Sequence, residues 1–62
     1  MMQIGDLANR AGVTARTIRY YEELGLIEPE ERTEGGFRLY SDAQLRRLEI
    51  IRNLKELGFD LE

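Results

Sequence analysis

The stretch Gly12-Val13-Thr14-Ala15-Arg16-Thr17-Ile18-Arg19-Tyr20-Tyr21-Glu22-Glu23-Leu24-Gly25 decides the architecture, because it reads as a short helix bracketed by a turn and a stop. Thr14 is a suitable N-cap, since its hydroxyl can accept a hydrogen bond from a free N–H of the first turn. Gly25 suits the left-handed residue that terminates a helix. At about 100° per residue, Thr17, Ile18, Tyr21 and Leu24 fall on one side and Arg16, Arg19, Tyr20 and Glu23 on the other. The first set is a core face. The second carries two arginines and a tyrosine, which composition alone leaves open between a solvated surface with an Arg–Glu pair and a binding surface.

Upstream, Ile4, Leu7, Ala8 and Ala11 fall at i, i+3, i+4 and i+7, the apolar stripe of a short helix that Gly12 stops. Residues 1–3 carry no strong signal. The next helix starts only two residues beyond Gly12, at Thr14, so the pair must cross sharply, as in a helix-turn-helix whose tight turn often holds a glycine. Small Ala8 and Ala11 permit close approach, and Val13 fills the corner. In that motif the second helix is the one laid in the DNA major groove, its N-terminal residues nearest the bases, which is where Arg16 and Thr17 sit.

Downstream of Gly25, Leu26 and Ile27 return apolar weight to the core, and Pro29 forbids continuation of the helix. Residues 30–40 read as a β-hairpin with Gly35-Gly36 at or beside its turn. Alternation puts Phe37 and Leu39 on one face and Arg38 and Tyr40 on the other. The expectation is that the first pair packs on the helices and the second is presented outward. Ser41-Asp42-Ala43-Gln44 is a capping box that opens a third helix. Leu45, Leu48, Ile51, Leu54 and Leu57, with Ile50 alongside, form its apolar stripe and are expected to supply the largest part of the core. Arg46 and Arg47 lie off that stripe near the helix start, where positive charge opposes the macrodipole and either a solvated face or an external anion accounts for them. Gly58 ends the helix, Phe59 can fold back over its last turn, and Asp60-Leu61-Glu62 has the pattern of another helix start. The fold class is therefore mostly α with a small β-hairpin, in the order helix, helix, wing, helix.

At 62 residues the chain is one domain, and a domain of that size buries only about 60% of the surface its unfolded form exposes. Cysteine and histidine are both absent, which removes disulfides, the usual zinc ligands, the commonest general base and the best nucleophile together. The 12 acids lie in helix faces and a polar loop, with nothing marking a buried pair of separated pKa values. An enzyme is not expected, nor is a metal or other cofactor. No apolar run approaches the ~20 residues that span a bilayer, and the N-terminus lacks the features of a signal peptide, so a cytoplasmic protein with no membrane partner is expected. The net charge of −3 counts against nucleic-acid binding, but the charge is segregated. Residues 10–19 hold three arginines and no acid, residues 38–47 three arginines and one acid, and residues 28–34 four acids against Arg32.

Taken together, Ile4-Gly5-Asp6-Leu7-Ala8, Gly12-Val13-Thr14, Arg16-Thr17-Ile18-Arg19-Tyr20-Tyr21-Glu22, Gly25-Leu26-Ile27, Gly36-Phe37-Arg38-Leu39-Tyr40 and Leu57-Gly58-Phe59 resemble the N-terminal DNA-binding domain of MerR-type bacterial transcription regulators. The similarity runs over nearly the whole chain, and the Arg-Thr-Ile-Arg-Tyr-Tyr-Glu run with an Arg-x-Tyr ribbon downstream is its most specific part. The resemblance implies a winged helix-turn-helix that binds double-stranded DNA, with the second helix in the major groove and the hairpin wing on the flanking backbone. By the same resemblance Arg16, Thr17, Arg19 and Tyr20 are contacts of the recognition helix and Arg32, Arg38 and Tyr40 contacts of the wing, while Ile18 and Tyr21 match core positions. Thr17 faces inward on the helical wheel, so only its hydroxyl edge is expected to reach DNA.

Members of the family are homodimers that bind inverted repeats in promoters and distort the DNA so that RNA polymerase can engage. Their dimer is made by a long C-terminal helix followed by an effector domain, and these residues contain neither. Residues 1–62 are accordingly expected to be a single DNA-binding domain, a monomer on its own. Two other readings of the same scaffold stand beside this one. They are an excisionase-like architectural factor that bends DNA, and a protein-interaction module whose face is the acidic stretch 28–34. The DNA readings require one spatial fact, that the guanidinium groups of the second helix and of the wing point the same way and form one concave cationic surface.

Overall fold

A computed structural model describes residues 1–59. In chain order it contains α1 (Ile4–Ala11), α2 (Ala15–Glu23), β1 (Glu31–Arg32), β2 (Arg38–Leu39) and α3 (Asp42–Glu56). The pattern of another helix start at residues 60–62 lies outside the described residues. The starts of α2 and α3 follow from local chemistry. Thr14 is extended and its side-chain oxygen accepts from the Thr17 N–H at 3.1 Å, which opens α2. Ser41 Oγ accepts from the Ala43 N–H at 3.2 Å while Gln44 Oε1 accepts from the Ser41 N–H at 2.7 Å, closing the expected capping box of α3.

The turn between α1 and α2 needs glycine for its backbone conformation. Gly12 has a φ of 70°, in the left-handed region, and the Val13 N–H donates back to the Ala8 carbonyl at 3.0 Å. A Cβ on Gly12 would also meet Arg52 Nη1 at 2.9 Å. That guanidinium lies over the end of α1 because it donates to the Ala11 carbonyl at 3.3 Å, a cation satisfying a free helix C-terminal acceptor. Arg47 makes the equivalent tie to the chain after α2, its Nε donating to the Leu26 carbonyl. Both adjacent arginines at the start of α3 are exposed, and Arg47 is the one that anchors a neighbouring backbone segment.

The core joins the three helices to the start of the chain and to the segments that flank the hairpin. Met2, Leu7, Ala8, Ala11, Ile18, Tyr21, Ile27, Tyr40, Leu48 and Ile51 are buried, with Ile4, Val13, Leu26 and Leu45 packed against them. The stripes expected on α1 and α2 are therefore present, and Val13 does fill the corner between the helices. Leu24 departs from the helical wheel and is 39% exposed. It is the C-cap of α2, and the turn after it delivers Leu26 and Ile27 to the core in its place. The stripe of α3 also holds only in part, for Leu48 and Ile51 are buried while Ile50 is 60% and Leu57 76% exposed. A helix of 15 residues spans about 22 Å, and its last turns touch the other helices through long cationic side chains, Arg52 on the end of α1 and Lys55 over the Tyr21 ring at 5.8 Å, instead of through the apolar stripe. Phe59 donates its backbone N–H to the Leu54 carbonyl at 3.1 Å as a helix-ending turn requires, yet its ring remains exposed instead of covering the last turn.

The hairpin is short and its turn is tight. Glu31 faces Leu39 and Arg32 faces Arg38 in antiparallel register. The Gly36 N–H donates to the Thr33 carbonyl at 2.9 Å, and Gly36 takes a φ of 84°, the three-residue loop that ends on a left-handed glycine. Beyond Leu39 the strand changes partner. The N–H and C=O groups of Met2 and Tyr40 exchange two hydrogen bonds, each 2.7 Å, so the first residues of the chain add a third backbone segment to the wing. Nothing in residues 1–3 signalled this, because a lone bridge needs no side-chain pattern.

The face assignment of the wing fails at its two aromatic residues, while Arg38 and Leu39 are both half-buried. Tyr40, expected outward, has no exposed surface, and Phe37, expected inward, is 65% exposed. Parity itself survives, because Arg38 and Tyr40 do share a face, but that face turns toward α2. A tyrosine tolerates burial when its hydroxyl finds an acceptor, and the Tyr40 hydroxyl donates to Glu22 Oε1. Phe37 sits at the end of the turn, where a Cβ on Gly35 would meet its ring at 3.3 Å.

Candidate nucleic-acid interface

On α2 the outer face is as the wheel required. Arg16, Arg19 and Tyr20 are exposed, one helical turn separating the first from the other two. Ile18 and Tyr21 lie beneath them in the core. Thr17 is half-buried, and its hydroxyl sits 2.9 Å from that of Thr14. The side chain consequently serves the start of the helix, where it joins the N-cap, more than the outer face.

The wing approaches the C-terminal half of α2 through Glu22. One carboxylate oxygen of Glu22 accepts from Tyr40, and the other lies 2.9 Å from Arg38 Nε. The second interaction has the geometry of a charge contact rather than a linear hydrogen bond. The Glu22 side chain is only 12% exposed, whereas that of Arg38 is 38% exposed, so the acid is the buried partner and the guanidinium reaches toward solvent. Burial of Tyr40, together with the nearby carboxylate that it serves as donor, pushes its phenol well above the usual tyrosine range. The phenol is therefore a permanent donor at neutral pH.

Arg19 from α2 and Arg32 and Arg38 from the wing line one open groove of about 560 Å³, with Ile27 and Pro29 at its floor and edge. One of the two outward arginines of α2, Arg19, thus shares a concavity with both wing arginines, while Arg16 does not line it. The concavity is not uniformly cationic, however, since Glu22, Glu23 and Glu28 line it too. Arg32 and Arg38 stand directly opposite each other across the hairpin, an arrangement of like charges that is unfavourable unless an anion lies close. Glu22 supplies that anion for Arg38. Among the described residues no ion pair involves Arg16, Arg19 or Arg32, which leaves their donors available to an external acceptor.

Of the residues expected to touch DNA, Arg16, Arg19, Tyr20 and Arg32 are exposed, Arg38 is exposed in part, and Thr17 is engaged with Thr14. Tyr40 is the correction, for a side chain with no exposed surface cannot reach a duplex. The residue that sequence reasoning passed over is Glu22. It belongs to neither face of the wheel as drawn, and its place became visible only when the hairpin closed onto it. Within the described residues no group of three or more Cys, His, Asp or Glu is arranged to hold a metal ion, and no helix is long and apolar enough to cross a membrane.

Comparison with known proteins agrees with this geometry. The sequence profile of the MerR HTH family regulatory proteins matches residues 2–62. The HTH-type transcriptional regulator ZntR of Escherichia coli K12 is 56% identical over 62 residues, covering 100% of this chain and 44% of that protein. Among solved structures, MtaN, the N-terminus of the Bacillus subtilis multidrug transporter activator, superposes with a TM-score of 0.92 at 43% identity, over 98% of this chain and 57% of that one. HiNmlR, a MerR family regulator lacking the sensor domain and bound to promoter DNA, gives a TM-score of 0.85 at 32% identity, over 95% of this chain and 47% of that one. The chain thus spans about 44% of the length of the curated relative it matches. With three helices, a two-stranded wing and outward arginines on the second helix, the chain belongs to the MerR HTH family of transcription regulators and is its winged helix-turn-helix DNA-binding domain.

Proposed function

We propose that α2 enters the major groove of a bacterial promoter, that Arg16 or Arg19 reads a base edge there, and that Arg32 and Arg38 of the wing neutralise backbone phosphates beside it. The observation that carries this reading is the shared concavity of Arg19, Arg32 and Arg38, which brings helix and wing cations to one side of an acidic molecule. Tyr20, exposed beside Arg19, is suited to donate to a phosphate, and Thr17 acts by holding the first turn. An arginine fork matches the two acceptors of guanine, whereas a phosphate contact carries no sequence information. In a longer regulator the same domain would work in pairs, a homodimer on an inverted repeat that distorts the promoter so that RNA polymerase engages, and that work belongs to the cytoplasm.

The test compares two duplexes, one enriched from a randomised library by the wild-type chain and one of random sequence. Arg16→Ala or Arg19→Ala, whichever side chain reads a base, should cost about 1–3 kcal/mol on the enriched duplex and blur preference at one position. Arg32→Ala should weaken both duplexes alike and flatten the dependence of log K on log salt by roughly one unit. Equal losses on both duplexes for Arg16→Ala and Arg19→Ala would refute base reading by α2. A single domain with a net charge of −3 should bind with a Kd nearer the ~10⁻⁴–10⁻⁶ M of non-specific contacts than nanomolar at physiological salt.

A further inference from the structure

Glu22 is an oddity in a surface meant for phosphates. It is a carboxylate at the meeting point of recognition helix and wing, lining the same groove as Arg19, Arg32 and Arg38. Coulomb's law alone makes it an opponent of DNA binding. Yet it is only 12% exposed, and each of its oxygens is occupied by a different group from the wing, Tyr40 on Oε1 and Arg38 on Oε2. We propose that Glu22 is a positioning residue for DNA recognition: by bridging the buried Tyr40 hydroxyl and the Arg38 guanidinium it fixes the wing against α2 and holds Arg38 aimed into the groove. The proposal rests on the DNA reading above and deepens it.

The physical case has three parts. First, β1 and β2 are two residues each, and a hairpin that short has little stability of its own, so its angle to α2 must be set by tertiary contacts. Two side-chain interactions, a hydrogen bond from Tyr40 and an ion pair with Arg38, join the wing to α2, and both end on Glu22. Second, Arg38 faces Arg32 across the strands. Without a carboxylate beneath them, the two guanidinium groups would move apart to relieve repulsion. The carboxylate holds Arg38 at a defined place while leaving it 38% exposed. Third, the acceptor is committed, because a buried hydroxyl deprived of its partner is costly and Glu22 is what Tyr40 has. Burial first, and the Glu22 carboxylate second, raise the phenol pKa and keep the donor protonated at neutral pH.

Positioning and plain electrostatics predict opposite signs for one substitution, which makes the proposal testable. Glu22→Gln removes a negative charge beside the phosphates while retaining an acceptor for Tyr40. If the charge only repelled DNA, the variant would bind both the enriched and the random duplex more tightly. Because Arg38 is placed on the DNA backbone and not on a base, the proposal expects the enriched and the random duplex both to bind about tenfold more weakly. In an Arg38→Ala background the same substitution should cost the enriched duplex little further, since the group it positions is gone. A second measurement needs no variant to fold. In the free wild-type chain the Nε–Hε of Arg38 should show NMR relaxation close to that of the backbone, in contrast to the mobile side chains of Arg16 and Arg19. Tighter binding of the enriched duplex by Glu22→Gln, or an Arg38 side chain as mobile as Arg16, would overturn the proposal. A wild-type chain that enriches no sequence at all would instead count against base reading by α2, a different failure that leaves the Arg38 relaxation result to decide the role of Glu22.

Discussion

Replacing Tyr40 with alanine should destabilise the domain by about 3–5 kcal/mol in urea unfolding, enough to leave much of the chain unfolded at room temperature. Per-residue stabilities typical of small domains give 62 residues a total of only about 3–9 kcal/mol. Tyr40 has no exposed surface, and it bridges the wing, the start of the chain and α2. Its loss opens a cavity where those segments meet and leaves the buried Glu22 carboxylate with one partner. Tyr40→Phe isolates the hydroxyl. It keeps the ring, loses one charge-assisted hydrogen bond, and should cost about 1.5–3 kcal/mol.

The two chains should also differ in alkali. The phenol of Tyr40 titrates near 10.0 when unfolded and higher when folded. Above the unfolded value the unfolded state sheds this proton while the folded state keeps it. Stability contributed by the neutral phenol is therefore fully present below pH 10 and falls as pH rises, by about 1.4 kcal/mol per unit for this one group. Tyr40→Phe lacks that group, so its stability should decline less steeply than that of the wild type between pH 10 and 12. Parallel declines would mean that the Tyr40 hydroxyl is not held as described.

The second large effect concerns the underside of the recognition helix. Ile18 has no exposed surface, and it sits in α2 between Arg16 and Arg19. Ile18→Ala should cost about 2–5 kcal/mol of folding stability by loss of transfer free energy and formation of a cavity. The arginines above are untouched, so the intrinsic contacts with DNA are retained. Apparent affinity should drop only by the fraction of chain that remains folded, and excess duplex should raise the melting temperature of the variant by mass action. Arg16→Ala should behave in the opposite way, with near-normal melting and weakened binding. An Ile18→Ala chain that stays fully folded yet binds poorly would show that the helix carries its arginines on some other support.

How much of this was legible in the sequence depends on whether a signal was local. Helix starts at Thr14 and Ser41 were readable because a cap is a contact between residues two or three apart. The stripe of α1 and the split faces of α2 were readable because helical geometry ties sequence spacing to direction. The wing was readable only up to its parity. Alternation says that Arg38 and Tyr40 share a side, but which side is buried depends on a partner 18 positions away from Tyr40, and polarity alone misassigned it. Tyrosine is the residue most apt to mislead in this way, being apolar along its ring and polar at its tip. The stripe of α3 was overextended for a related reason, since periodicity reports a helix's apolar side and not how far another element reaches along it. The outward arginines of the recognition helix were legible, whereas Glu22 was not, because its importance comes from two residues that the fold delivers to it.

The central claim is that recognition helix and wing act as one surface toward DNA, and backbone chemical-shift perturbation during titration of the chain with the enriched duplex at low salt tests it most directly. The account predicts shifts concentrated at Arg16, Arg19, Tyr20, Arg32 and Arg38, moving together along one binding curve and diminishing together as salt is added. Perturbations confined to residues 28–34 apart from Arg32, or helix and wing responding on separate curves, would contradict it.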